Sequence, residues 1–201
     1  MINTSISNND FTGFEYQPSA RIAWLADENQ TFWGSVSRAV RTPNIANSDA
    51  QVLLSPIGLG PTVFIAQQGH KSANSEDLIA YEAGYRIQPK SNISIDAAVY
   101  YNDYRSLLLG QLGQVSGPFV DPALGAYFVQ SVLPVNTGSA HSYGAELSTK
   151  WQPTDVMELA AAYTYQTLKF DQRDPFGFSF NGKSPRHQFN VRSTYLLPHN
   201  I

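Results

Sequence analysis

The sequence contains no cysteine, few charged residues and no long apolar run, and each of these absences excludes a class of protein. Without cysteine the chain has no disulfide, no thiolate metal ligand and no cysteine nucleophile. No apolar run approaches the roughly 18 residues of a spanning helix, so any membrane insertion must use strands. The formal net charge of -3 offers no basic stripe to neutralise phosphates, which argues against a nucleic-acid partner.

Aromatic and small polar residues take the place of charge. The chain is 42% hydrophobic and 12% aromatic, with 11 Tyr and 11 Phe, whereas only 14% of residues are charged. Soluble domains carry about a quarter charged residues. A surface rich in aromatics and small polar groups is typical of strands with one apolar and one polar face.

Alternation with a period of two predicts strands along most of the chain. The clearest case begins at Ile93, where Ile95, Ala97 and Val99 alternate with small or polar residues as far as Tyr104. The same pattern, interrupted by turn-forming residues, predicts about seven strands. Their predicted bounds are 19–26, 30–41, 76–88, 93–107, 140–151, 157–168 and 186–197.

The connections between these strands alternate between short and long. Short turns at one rim and long loops at the other are typical of transmembrane barrels. Apolar patches at 63–65 and 127–129, inside two long connections, predict either hairpins that continue beyond the membrane or contacts folded over the barrel mouth. The long connections are 42–75, 108–140 and 169–185.

Five sequence motifs follow one another along the chain. The longest is FWGSVSRAVRTPN at 32–44. The others are DLIAYEAGY at 77–85, VYYNDYR at 99–105, HSYGAEL at 141–147 and SPRHQF at 184–189. In this order they resemble the barrel of TonB-dependent outer-membrane receptors.

The resemblance implies an all-β fold, an antiparallel up-and-down transmembrane β-barrel with short periplasmic turns and long extracellular loops. It implies a place in the bacterial outer membrane and energy-coupled uptake of a scarce ligand, by default an iron-siderophore complex. The implied partners are outer-membrane lipid, the receptor's own plug domain, the TonB energy-coupling complex and the small-molecule ligand. No plug sequence, signal peptide or aromatic-terminated last strand is recognisable, so we expect 1–201 to be an internal part of one barrel domain, without a second domain, cofactor or enzymatic activity.

Charged residues on the polar faces are the candidate wall of the lumen. In a barrel they would contact the plug or the solute, whereas on an ordinary sheet they would be solvated cross-strand pairs. The candidates are Glu82, Arg86, Asp96, Glu146, Lys150, Glu158 and Arg192. Arg38 alternates with apolar residues, so we expect it at the membrane rim. Glu76 and Asp77, near a strand end, are either solvated or a cation site at the outer rim.

Aromatic residues near strand ends are candidates for interfacial girdles. They are Trp24, Trp33 and Trp151 near the short turns, with Tyr101 and Tyr165 towards the opposite ends. Packing in the core of a soluble sandwich would explain the tryptophans nearly as well.

The histidines carry no metal-ligand or catalytic spacing. His141 and Ser142 are adjacent on one strand, so their side chains point to opposite faces and cannot form a base and nucleophile pair. Three alternatives remain behind transport: a soluble β-sandwich that binds glycans, a passive porin and a barrel enzyme.

Overall fold

The chain folds into one sheet, described here from a computed structural model over residues 1–54, 63–123, 125–171 and 184–197. These residues form ten strands and one short helix, α1. The elements, in chain order, are β1 (Ile2–Asn9), β2 (Gly13–Asp27), β3 (Gln30–Arg41), α1 (Ile45–Ser48), β4 (Gln51–Leu54), β5 (Val63–Gln68), β6 (Glu76–Lys90), β7 (Ile93–Asp121), β8 (Gly125–Thr154), β9 (Met157–Phe170) and β10 (His187–Tyr195).

Eight of the strands follow one another in antiparallel pairs. Their order is β1-β2-β3-β6-β7-β8-β9-β10, so β1 and β10 form the two edges. The fold class predicted from the sequence is therefore confirmed, and over the described residues the sheet is not closed on itself. Seven of these strands correspond to the seven predicted ones.

The register keeps two chemically different faces across the whole sheet. Along one row Ile22 pairs with Gly34, Gly34 with Ala83, Ala83 with Val99, and Val99 with Ala145. We call this side the apolar face. The adjacent row lies on the opposite side, which we call the polar face, and contains Ala23, Trp33, Gly84, Ala98 and Glu146.

The apolar face has no protein layer packed on it among the described residues. Ile22 is 74% exposed and Val99 55% exposed, and many other large apolar side chains of this face are equally open. Among the described residues the buried apolar ones are Ile65, Ala66, Ala73 and Ala140. Such an exposed apolar surface would be unstable in water. The sheet therefore needs an apolar environment on this side.

The β7–β8 hairpin is much longer than predicted. The two strands stay paired from Ile93 and Trp151 out to Asp121 and Gly125, through several register shifts. The predicted loop 108–140 is thus largely hairpin. The apolar patch at 127–129 lies within this hairpin. That the hairpin continues beyond the membrane stays a prediction.

The two apolar patches also meet each other. β5 pairs in parallel with β8, so Val63 lies opposite Phe128 and Phe64 opposite Val129. The Phe64 and Tyr127 rings make an edge contact at 5.3 Å between centroids. β4 extends this pairing on the far side of β5. We call β4, β5 and the hairpin segments 106–121 and 125–138 the outer sheet.

β1 was not predicted, because its sequence is polar and gives weak alternation. It pairs with β2 along its whole length, and the turn between them is stabilised by Asn9, whose Oδ1 accepts hydrogen bonds from the backbone N–H groups of Phe11 and Thr12 at 2.9 Å each. Gly13 follows with a φ of +74°, a conformation that glycine adopts without strain. This connection is short although it lies at the rim of the long loops.

Candidate functional site

The seven charged candidates lie on the polar face of the sheet. The register places each of them on the side that carries Glu146, opposite to the exposed apolar side chains. The structure thus keeps together, on one face, Glu82, Arg86, Asp96, Glu146, Lys150, Glu158 and Arg192. That this face lines a lumen stays a prediction.

Several of these residues are paired across strands. Arg86 contacts Asp96 at 2.5 Å between Nη2 and Oδ2, and Arg192 lies 3.7 Å from Glu158. The Ser35 hydroxyl donates a hydrogen bond to Glu82 at 2.9 Å. All of these contacts are at the surface of the sheet, where such pairs contribute at most about 1 kcal/mol each. These contacts hold the charged side chains in place on the polar face.

A polar cavity of about 670 Å³ lies on the same face, towards the long loops. Glu82 and Glu146 contribute carboxylates, and Arg186 contributes a cation. Tyr100 lines the cavity as well. Charges of both signs and an aromatic ring therefore converge here, a combination suited to binding a polar solute or another protein segment.

Further out along the polar face the lining becomes mainly apolar. A second cavity, of about 710 Å³, is bordered largely by apolar side chains, among them Leu107, Leu109 and Phe170, and also by Asp77 and the Arg41–Glu76 ion pair. It lies where β7 and β8 leave the regular part of the sheet, beside the bulge at Ser106, whose φ is +55°. The polar cavity is thus separated from the outer sheet by an apolar collar.

Four of the five aromatic candidates lie on the apolar face. The Trp24 ring stacks on Phe32 at 5.4 Å, and Phe32 contacts Tyr85 at 4.5 Å, which forms an aromatic group near the short turns. Trp151 pairs with Ile93 at the same end. Tyr101 contacts Tyr81 towards the long loops, and Tyr165 contacts His187.

Trp33 does not join this set. It pairs with Gly84 on the polar face, and its indole covers Gly84 so closely that a Cβ there would overlap the ring. The short distance of Trp33 from a predicted turn indicated its position along the strand. The alternation of apolar and polar residues around it was too irregular to indicate on which face of the sheet its side chain lies.

Ion pairs end the apolar face on the loop side. Arg38 donates from Nε to Asp77 Oδ1 at 2.7 Å and from Nη1 to the Tyr16 carbonyl at 2.5 Å. Arg105 pairs with Asp103 at a similar height. Arg38 therefore lies towards the loop end of its strand, where its charge is paired. That this position is the membrane rim stays a prediction.

A second group of polar contacts, which the sequence did not indicate, joins the loops at this rim. Glu76 is buried, pairs with Arg41 at 2.5 Å and accepts a hydrogen bond from the Leu108 backbone N–H at 2.8 Å. Asn136 accepts a hydrogen bond from the Asn74 N–H at 2.7 Å and donates one to the Asn74 carbonyl at 2.8 Å. Glu76 and Asp77, considered a possible cation site, therefore each have an arginine partner.

Glu15 anchors the β1–β2 turn to the same rim. It is buried on the loop side of the Arg38 pair, where the hydroxyls of Ser75 and Thr12 donate hydrogen bonds to its carboxylate. These hydrogen bonds, first from Ser75 and then from Thr12, lower the pKa of Glu15 below its ordinary value, with a smaller contribution from Arg38. The β1–β2 turn, the end of β3 and the β5–β6 connection are thus linked through charged and hydroxyl groups.

Within the described ranges no cluster of three or more His, Cys, Asp or Glu side chains could hold a metal ion. Nor does the described part of the chain contain a helix long and apolar enough to cross a membrane.

Solved structures of similar fold come from siderophore receptors. The siderophore receptor PirA from Acinetobacter baumannii matches with a TM-score of 0.76 and 18% identity, over 96% of this chain and 28% of that one. A variant of the ferric enterobactin receptor PfeA from Pseudomonas aeruginosa, in complex with enterobactin, matches with a TM-score of 0.71 and 15% identity, over 97% and 28%. The alcaligin outer-membrane receptor FauA from Bordetella pertussis matches with a TM-score of 0.55 and 19% identity, over 92% and 27%.

At these identities the likeness concerns the fold alone, and the chain spans less than a third of the length of each structure. No curated protein matches the sequence. The family model described as TonB dependent receptor-like, beta-barrel, matches residues 2–200, which is almost the entire chain. With its antiparallel strands and two-faced sheet, this chain belongs to the TonB-dependent receptor β-barrel family of the bacterial outer membrane.

Proposed function

We propose that this chain forms part of the barrel wall and the outer loops of a receptor that imports a scarce ligand, an iron-siderophore complex, across the outer membrane. The family match over 2–200 carries this proposal. In it, the exposed apolar face contacts lipid, and the polar face with its charged candidates lines the lumen and meets the plug domain. Energy comes from the TonB complex, as expected for the family.

The succession of cavities along the polar face supports the proposal. A solute that enters from the loop side would first meet the outer sheet. It would then pass the apolar collar around Leu107 and Leu109 and reach the charged cavity around Glu82 and Glu146. Sites of changing polarity along one face suit stepwise passage better than a single tight site. The soluble glycan-binding alternative has no such support, because the described residues form a single sheet that leaves its apolar face uncovered.

Uptake of radioactive iron tests this function. The full-length receptor that carries this chain would be produced in iron-restricted cells that lack their other siderophore receptors, in strains with and without TonB. We expect TonB-dependent accumulation of iron from at least one ferric siderophore. Uptake that persists without TonB, as through a passive porin, would contradict the proposal, and so would the absence of uptake from every complex tested while the receptor is present in the outer membrane.

A further inference from the structure

The outer sheet contains a third cavity, of about 880 Å³, which lies on the continuation of the polar face. On β8 the polar face carries even-numbered residues as far out as Ala140 and Gly138. Beyond the register shift near Thr137, the odd-numbered residues of β8 lie on that face instead. Val129, Ser131 and Leu133 of this set line the cavity. β5 contributes Ala66, which is paired with Ser131. The cavity therefore lies beyond the collar on the same side as the charged wall.

The segments that form this part of the molecule are almost free of charge. In 42–75 and 106–140 together, the only charged residues are Asp49, Lys71 and Asp121, and neither segment contains arginine. None of these three residues lines the cavity, and among the described residues that do, His70 alone has a titratable side chain. The charged cavity deeper in the sheet, with Glu82, Glu146 and Arg186, has the opposite character.

The lining offers hydrogen-bonding groups without a charge. The side-chain amides of Gln51, Gln68 and Gln114 are exposed, and none of them makes a hydrogen bond to another described residue. Ser131 approaches Gly113 closely, and its hydroxyl donates to the Gln114 carbonyl at 3.0 Å. Amides of this kind can both donate to and accept from a ligand.

Aromatic rings stand beside these amides. Phe119 lines the cavity and contacts Tyr127 at 5.5 Å, and Tyr127 contacts Phe64. Apolar rings beside a few uncharged polar groups are typical of small-molecule sites. An anionic ligand would lose its hydration here without gaining a cationic partner, which is unfavourable.

We propose that this outer cavity binds an electrically neutral, oxygen-rich iron complex of the ferric trihydroxamate class, in which three hydroxamate anions cancel the charge of the ferric ion. It discriminates against ferric tricatecholates, which carry a net negative charge. The uncharged amides bind the ligand oxygens, and the rings of Phe119 and Tyr127 cover its apolar parts. This proposal rests on the proposed function and names the ligand class of the same transport route.

Direct binding to the purified full-length receptor tests the ligand class separately from transport. The probes are ferrichrome, a neutral trihydroxamate, and ferric enterobactin, an anionic tricatecholate, and binding is measured by quenching of tryptophan fluorescence in detergent. We expect ferrichrome to bind at least about tenfold more tightly, with an affinity that hardly changes with ionic strength because no charge is neutralised.

Two variants test the location. Replacing both Gln68 and Gln114 with leucine should weaken ferrichrome binding about tenfold, since two hydrogen bonds are lost. Val115→Thr is the matched control, because Val115 is exposed on the opposite side of the same hairpin and its replacement should leave binding unchanged. The folded state of each variant is checked by its electrophoretic mobility before and after heating.

Each contrary result has a distinct meaning. Tighter binding of ferric enterobactin, or binding of neither probe, would overturn the neutral-ligand proposal, and TonB-dependent uptake of another iron complex would leave the proposed transport function standing. An unchanged affinity in the double glutamine variant would overturn the assignment of the site. Ferrichrome binding without any TonB-dependent uptake would support the ligand class and contradict the transport function.

Discussion

Replacing Val99 with arginine is the sharpest test of the orientation of the sheet in the membrane. Val99 lies on the apolar face between Ala83 and Ala145, so no neighbouring carboxylate is available to pair with an arginine there. It is separated from Ile93, near the short turn, by six positions and from Asp103, at the charged rim, by four. At about 3.3 Å per residue, an arginine at 99 would have to reach well over 10 Å along the strand to leave the hydrocarbon core.

The expected effect follows from this position. Arginine at the bilayer midplane on the lipid face of a barrel costs about 2 to 4 kcal/mol. Because about 1.4 kcal/mol changes an equilibrium tenfold, the ratio of folded to unfolded receptor should fall roughly 30- to 700-fold. The assay is a urea titration of the full-length receptor in phospholipid vesicles, followed by the fraction that keeps the mobility of a folded barrel.

Two arginine variants on the polar face provide the control. Ala98 lies opposite Glu146, and Ser148 lies opposite Asp96, so a guanidinium at either position has a carboxylate across the strand. We expect Ala98→Arg and Ser148→Arg to change stability by less than about 1 kcal/mol. If Val99→Arg were as stable as these two variants, the assignment of the apolar face to lipid would be refuted.

Three further predictions concern the loop rim and the polar face. Glu76→Ala should leave the Leu108 backbone N–H without its acceptor, costing about 1 to 3 kcal/mol, and hydrogen exchange at that amide should accelerate. Because the pKa of Glu15 is lowered in the folded state, its carboxylate should stabilise the β1–β2 turn fully above the unfolded pKa near 4.5. This stabilisation should be lost as the pH falls through the lower folded pKa. Ser75→Ala should weaken this pH dependence, which hydrogen exchange of the turn amides measures. Gly84→Ala should force the Trp33 indole to move, at a cost of about 1 to 3 kcal/mol, and shift its fluorescence.

Each of these predictions has a matched control. Glu76→Gln keeps an oxygen acceptor for the Leu108 N–H, so its amide exchange should change less than in the alanine variant. Ser72→Ala, at a serine that does not contact Glu15, should leave the acid dependence of the turn unchanged. Gly34→Ala should be tolerated, because the nearest atom to a new Cβ is 3.5 Å away. Equal effects in a variant and its control would contradict the corresponding contact.

The strand pattern was accessible from the sequence wherever one face is continuously apolar. In β6 and β7 each step along the chain changes the face, so the series Ile95, Ala97 and Val99 predicts both a strand and its orientation. β1 escaped detection because its polar residues alternate weakly. Trp33 escaped assignment to its face because it directly follows Phe32, so two consecutive aromatic residues give no alternation between the faces.

The loop contacts could not be predicted, because they join residues that are far apart in the sequence. Glu76 contacts Leu108 over 32 positions, and Asn136 contacts Asn74 over 62. No local pattern marks a carboxylate that will accept a hydrogen bond from a bulged strand. The parallel pairing of β5 with β8 is equally invisible, since the register of two separated strands depends on the path of the chain between them.

By itself the sequence determined the all-β class, the two-faced strands, the polar set from Glu82 to Arg192 and the family, because these depend on residue type and on a period of two. The tertiary structure alone decided that the hairpin extends to Asp121 and Gly125, that the outer sheet is built from two distant segments, and that uncharged glutamines converge there. Those features depend on register and on contacts across the sheet. The physical reason for the division is that alternation is a local property of the chain, whereas a binding surface is assembled from segments that only folding brings together.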